Sequence, residues 1–173
     1  MGQLDGSIVL QGDMNAATLT ARGGKHGEDK FDANGRRKAD SIVHEQILRY
    51  EQVSGTAVVA ESRVIGSLFA DATAVEISIV CETKPDGSGG DPRKFTVDVL
   101  KGNQTTAFAS ILAGGTPVTV DASIANRQVQ FVVPTTTAGA RGDQIKIIVA
   151  VSGTTGAQGQ GLQVGVKYRE NPA

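Results

Sequence analysis

The sequence predicts an all-β fold: an antiparallel β-sandwich or barrel of about eight strands, preceded by an extended N-terminal arm. Three observations carry this reading. Apolar side chains recur with a period of two, as in Ile145, Ile147, Val149 and Val151 or Leu162, Val164, Val166 and Tyr168, which gives a strand one buried and one wet face. Aromatic residues make up only 4% of the chain while glycines number 22, a balance suited to short strands and tight turns. From Thr56 onward, strand-like segments are separated by turn signals about every dozen residues, the spacing of a sandwich or barrel.

Residues 1–53 read as the arm. Ser7-Ile-Val-Leu10 and Thr18-Leu-Thr20 suit short strands, but Arg22 to Asp40 is glycine-rich and nearly without apolar residues. Arg22, Lys25, Lys30, Arg36, Arg37 and Lys38 alternate there with Glu28, Asp29, Asp32 and Asp40. Such a stretch buries too little apolar surface to offset its ordering entropy. It is either a tail without a task or an arm that orders against a neighbouring subunit. In the second reading Ile8, Leu10 and Phe31 are its apolar anchors, and Arg22, Lys25, Arg36, Arg37 and Lys38 its charged contacts. In residues 41–52, Val43, Ile47 and Tyr50 fall at i, i+4 and i+7, as on a helical face capped by Asp40 or Ser41. The β-branched residues fit a strand as well; a short helix is the preferred expectation. His26 and His44 have no second ligand at metal spacing and read as ordinary histidines.

The body is expected over residues 54–173. Thr56 to Leu68 is one long or bent strand, broken at Gly66. Thr73 to Thr83 places Val75, Ile77, Ile79 and Cys81 on one face, which makes Cys81 a small core residue. The loop Lys84 to Pro92, rich in Pro, Asp and Gly, reads as a hairpin turn. Asp86, Ser88 and Asp91 invite a calcium reading there, but Val97 stands where a helix-loop-helix calcium site needs its late glutamate. Lys94 to Lys101 turns Phe95, Val97 and Val99 inward. Ser110 to Leu112, Pro117 to Val120 and Arg127 to Val133 follow, the last with Val129, Phe131 and Val133 on one face. Gly142 to Val151 and Gln160 to Arg169 close the chain as a hairpin around a glycine-rich tip, Ser152 to Gly159. Asp86, Ser88, Asp91, Thr155 and Gln158 are expected at exposed loop tips.

Composition narrows function by exclusion. Seventeen basic and eighteen acidic residues leave a net charge of -1, which gives no electrostatic case for nucleic acid or an anionic membrane. No apolar run reaches membrane-span length, the first residues lack signal-peptide character, and a single cysteine excludes an internal disulfide framework. Synthesis and residence in a cytoplasm are the expectation. No nucleophile elbow, zinc-protease helix or phosphate-binding strand-to-helix loop is present, so no catalytic residue, metal or cofactor is assigned. Arg141-Gly142-Asp143 spells an integrin-binding tripeptide, but it sits where an ordinary turn enters a strand.

One stretch carries a resemblance. Lys94-Phe-Thr-Val-Asp-Val-Leu-Lys-Gly-Asn-Gln104 is followed by Ala109-Ser-Ile-Leu112, Thr116-Pro-Val-Thr-Val120, Ala140-Arg-Gly-Asp143 and Gly159-Gln-Gly-Leu-Gln-Val-Gly-Val-Lys-Tyr168. This order of strands and turns, spanning about Ala74 to Pro172, resembles a domain of tailed-bacteriophage virion structural proteins. It departs in having Lys101-Gly-Asn where Lys-Asn-Gly is the family's turn. Among virion roles, the resemblance implies a capsid decoration or cement protein with a jelly-roll-like domain, commonly homotrimeric, with the major capsid protein as partner and the capsid surface as location. Two other readings stay open. One is a head fibre or tail appendage contacting the host; the other is a carbohydrate-binding sandwich, which the absence of Trp and the presence of only Tyr50 and Tyr168 weaken.

Overall fold

The structure, a computed structural model, describes residues 44–136 and 138–170. Ten strands form two antiparallel sheets: β1 (Glu45–Glu51), β2 (Glu61–Ser67), β3 (Ala72–Thr83), β4 (Lys94–Gly102), β5 (Ala109–Ser110), β6 (Val118–Val120), β7 (Gln130–Val132), β8 (Ala138–Gly139), β9 (Gln144–Ser152) and β10 (Gln160–Glu170). The first sheet runs β1-β10-β3-β7, with β8 also on β3; the second runs β2-β9-β4-β5, with β6 also on β4. The chain changes sheet at six of its nine connections, the nested path of a jelly roll. Counting the split pairs β5/β6 and β7/β8 once each gives the eight strand positions of that architecture. Among the described residues no helix is long and apolar enough to cross a membrane.

The core is the set of inward alternating positions. Ile77, Ile79 and Cys81 from β3 and Leu162, Val164, Val166 and Tyr168 from β10 meet Phe95, Val97 and Val99 from β4 and Ile145, Ile147 and Val149 from β9, all buried. At about 25 cal/mol per Å² of apolar area, sandwiching these faces is the main stabilising term. Burial raises the Cys81 thiol pKa, which keeps it protonated and unreactive, a packed core residue.

Four expectations are corrected. Residues 45–51, assigned to a helix in the arm, are strand β1 of the sandwich, paired with β10 from Glu45↔Arg169 to Glu51↔Gln163. Ile47 and Tyr50, three apart, lie on opposite faces of the strand: Tyr50 is buried and Ile47 is 51% exposed. Long-range pairing with β10 outweighs the weak helical pattern. The supposed hairpins at Lys84 to Pro92 and Ser152 to Gly159 are not hairpins, because β3 and β4, and likewise β9 and β10, belong to different sheets. Period two reports which face is buried and says nothing about the partner strand. Val75 is not an inward residue: the register skips it, with Lys167 opposite Glu76 and Tyr168 opposite Ala74, so a bulge shifts the phase and Ala74 takes the buried place. Finally, the apolar face of β7 looks outward, as described next.

Candidate interaction surfaces

β7 is a three-residue strand at the edge of the first sheet, with Ser78 opposite Phe131. That register puts Val132 against the core and turns Val129, Phe131 and Val133 to solvent, at 42%, 67% and 77% exposure. Isolated exposed apolar residues are ordinary, but these three make a continuous apolar strip on a sheet edge. The row continues across the outer face of the sheet. Arg49, Gly165, Ser78 and Phe131 are successive cross-strand neighbours, as are Ile47, Lys167 and Glu76 beside them and Glu51, Gln163 and Val80 on the other side. Gly165 and Ser78 leave a trough of about 210 Å³ across the strands. It is tight at its floor, since a Cβ at Gly165 would come 2.7 Å from Ser78 Oγ.

The second surface is a lobe made of the two inter-sheet loops. Thr154 and Thr155 N–H groups both donate to the Asp91 carbonyl at 3.0 Å, Arg93 N–H donates to the Thr155 carbonyl at 3.0 Å, and Asp86 N–H donates to the Ala157 carbonyl at 2.8 Å. Pro92 and Thr155 also form a parallel bridge. Gly153, at φ +83°, lets the backbones touch: a Cβ there would run into the Pro92 carbonyl. The expected loop-tip residues are thus brought together at one end of the sandwich, with different fates. Asp86, Ser88 and Asp91 are exposed. Thr155 and Gln158 are half-buried: the Thr155 hydroxyl donates to the Ser88 carbonyl at 3.1 Å, and the Gln158 amide is buried without a hydrogen-bond partner among the described residues.

The carboxylates of the lobe are already engaged. Asp86 accepts from the Ser88 hydroxyl at 2.7 Å and from its N–H at 3.0 Å, bonds that lower its pKa. Asp91 accepts from the Thr154 hydroxyl at 3.1 Å. The Asp86 bonds fix its loop as a local turn, and the Asp91 bond ties one loop to the other. Among the described residues no three His, Cys, Asp or Glu side chains converge as metal ligands.

The Arg-Gly-Asp tripeptide is likewise accounted for locally. Asp143 is 6% exposed and accepts from Asn103 Nδ2 at 2.8 Å and Ala140 N–H at 2.9 Å, with Lys101 Nζ at 3.6 Å. A carboxylate turned inward at the head of β9 is a structural cap and is not presented to a partner. The arm residues Ile8, Leu10, Arg22, Lys25, Phe31, Arg36, Arg37 and Lys38 lie outside the described residues.

These features define an all-β jelly-roll sandwich with an apolar outer sheet edge and a loop-built lobe. No protein-family model matches the chain, and no curated protein does. Among solved structures, a chain of the cyanophage Pam1 capsid asymmetric unit is similar at 18% identity and a TM-score of 0.32, covering 74% of this chain and 84% of that one.

Proposed function

We propose that the chain is a non-enzymatic virion structural protein, a decoration or cement protein that binds the outside of a phage capsid and stabilises contacts between its subunits. The observation that carries this reading is the exposed row Val129, Phe131 and Val133 on the edge of a stiff sandwich. A protein that keeps such a row in water works by having it covered. The sequence resemblance at Lys94 to Leu112 and at Gly159 to Tyr168 supplies the kind of assembly in which this happens. Within this proposal the major capsid protein is the partner, homotrimerisation follows the resemblance, and residues 1–43 supply an arm whose mixed charges set register on the shell.

The test is copy number per particle, from quantitative protein analysis of purified virions of the encoding phage. Copy numbers comparable to the major capsid protein support the decoration role. A small fraction of that number moves the chain to a fibre or tail site, and complete absence from particles overturns the virion reading.

A further inference from the structure

The outer face of the first sheet is antisymmetric about a line along the strands between β10 and β3. Read from β1 to β7, one cross-strand row runs Ile47, Lys167, Glu76, and reaches Val133 by extending the register: apolar, positive, negative, apolar. The next row runs Arg49, Gly165, Ser78, Phe131: cation, gap, small hydroxyl, aromatic ring. A two-fold axis along that line lays the face on a second copy of itself with each row reversed. Ile47 then meets the partner's Val133, and Lys167 meets the partner's Glu76. Arg49 lies over the partner's Phe131 ring, a cation–π contact, and Gly165 faces the partner's Ser78 with room for close approach. Every contact occurs twice, as an isologous interface requires.

The exposure pattern agrees with this arrangement. Ile47 at one edge and Val129, Phe131 and Val133 at the other are the exposed apolar residues of the face; reversal brings Ile47, Phe131 and Val133 onto complementary partners, while Val129, at the rim, falls against the partner's Glu51. Lys167 does not have its charge fully committed within the chain: its ion pair, to Glu45 at 2.8 Å, leaves the side chain about a third exposed. Glu76 and Arg49 have no ion-pair partner among the described residues.

We infer that this face pairs two copies of the chain through Lys167–Glu76 and Arg49–Phe131 contacts across a two-fold axis. The inference rests on reading the β7 row as a contact surface and names what covers it. The contact is two-fold, whereas the contacts within a trimer are head-to-tail, so the face joins two single chains or two trimers. The face is limited at one edge by the three-residue β7 and offers a small interface, and the pairing is therefore concentration-dependent.

The test is sedimentation of the purified full-length chain at high concentration, beside two charge-reversal variants. The wild-type chain is expected at an even number of copies. Glu76→Lys alone brings two ammonium groups together at both symmetry-related contacts, and Lys167→Glu alone brings two carboxylates together at both; each variant is expected at half the wild-type mass. In a mixed pair one contact joins the unchanged Lys167 of one copy to the unchanged Glu76 of the other, and the second contact joins the two introduced charges, which are of opposite sign, so both are complementary and the wild-type mass returns. This rescue separates a lost interface from a damaged fold. A wild-type mass of one or three copies, variants that stay paired alone, or a mixture that does not re-pair would each overturn the inference. None of these outcomes alters the virion copy number, so the two proposals fail independently.

Discussion

The Asn103 side-chain amide donates to Asp143 Oδ1 over 2.8 Å, tying the turn after β4 to the entry of β9. Around that bond the Asn103 carbonyl oxygen accepts from the Thr105 and Thr106 N–H groups at 2.9 and 2.8 Å. Asp143 holds Ala140 N–H at 2.9 Å, and the Lys101 ammonium reaches both Asp143 and the Ala138 carbonyl. Two adjacent strand ends and the approach to β9 thus share one polar junction next to the core. Removing the carboxylate strands several donors at once, so Asp143→Ala is expected to cost about 3 kcal/mol. Asn103→Ala, which loses the bridge and the turn bonds, should cost about 2 kcal/mol. Urea unfolding checks both, with the midpoint falling at unchanged slope.

The same junction predicts acid sensitivity. Burial pushes the Asp143 carboxyl up, but the Ala140 N–H, the Asn103 amide and the Lys101 ammonium outweigh it, and its pKa falls below the ordinary value of 3.8. A depressed carboxylate pKa contributes stability that is present above the unfolded value and lost as pH falls through the folded one. Stability should therefore decline below pH 3.8, and less steeply in Asp143→Asn. Equal slopes in the two proteins would remove Asp143 as the cause.

How much of this was legible beforehand depended on the length over which each signal repeats. β4, β9 and β10 carry alternations that no bulge interrupts, and their inward residues are those that the sequence pattern marks, whereas the bulge in β3 shifts its phase at Val75. β7 carries only three apolar residues, and their alternation alone cannot say which face meets the core; the pairing of Ser78 with Phe131 decides it. β1 was obscured because Val43, Ile47 and Tyr50 match a helical period over too short a span to outvote strand pairing. Sheet assignment was hidden altogether, since a glycine-rich loop joins strands equally well within a sheet or between two. The clustering of Asp86, Ser88, Asp91 and Thr155 at one end followed from that unseen crossing. The order of the cross-strand rows on the outer face was also out of reach, because it exists only once β1, β10, β3 and β7 are in register.

A second titration sits between β1 and β2. The Tyr50 hydroxyl donates to Glu61 Oε2 at 2.7 Å and accepts from Gln52 Nε2 at 2.6 Å. Burial, followed by the Glu61 acceptor, raises its pKa from 10.0 to about 12. For a raised pKa the stabilisation is complete below the unfolded value and disappears as pH rises through the folded one. The protein should lose stability between pH 10 and about 12. In a phenolate absorbance titration, Tyr50 should lag free tyrosine, and Tyr168, raised by burial and then by Asp143, should ionise only on unfolding. Early titration of either ring would contradict its burial.

The lobe makes a prediction from two glycines that its loops place in different surroundings. Gly153 has φ +83° and faces the Pro92 carbonyl, while Gly90, in the opposing loop, has nothing within 4 Å of where a Cβ would sit. Alanine at 153 meets both a left-handed backbone and a collision with main chain, which yields only by moving the loop. A cost of about 2 kcal/mol is expected, with a matching drop in melting temperature and loss of amide-exchange protection at Thr154 and Thr155, whose N–H groups bond Asp91. Alanine at 90 meets neither obstacle and narrows the unfolded ensemble, so it should be neutral or stabilise by about 0.5 kcal/mol. Similar losses at both positions would show that the loops are merely glycine-rich and do not interlock. A loss confined to Gly153 means that the two crossings between sheets are fastened to each other and the lobe is a rigid part of the surface.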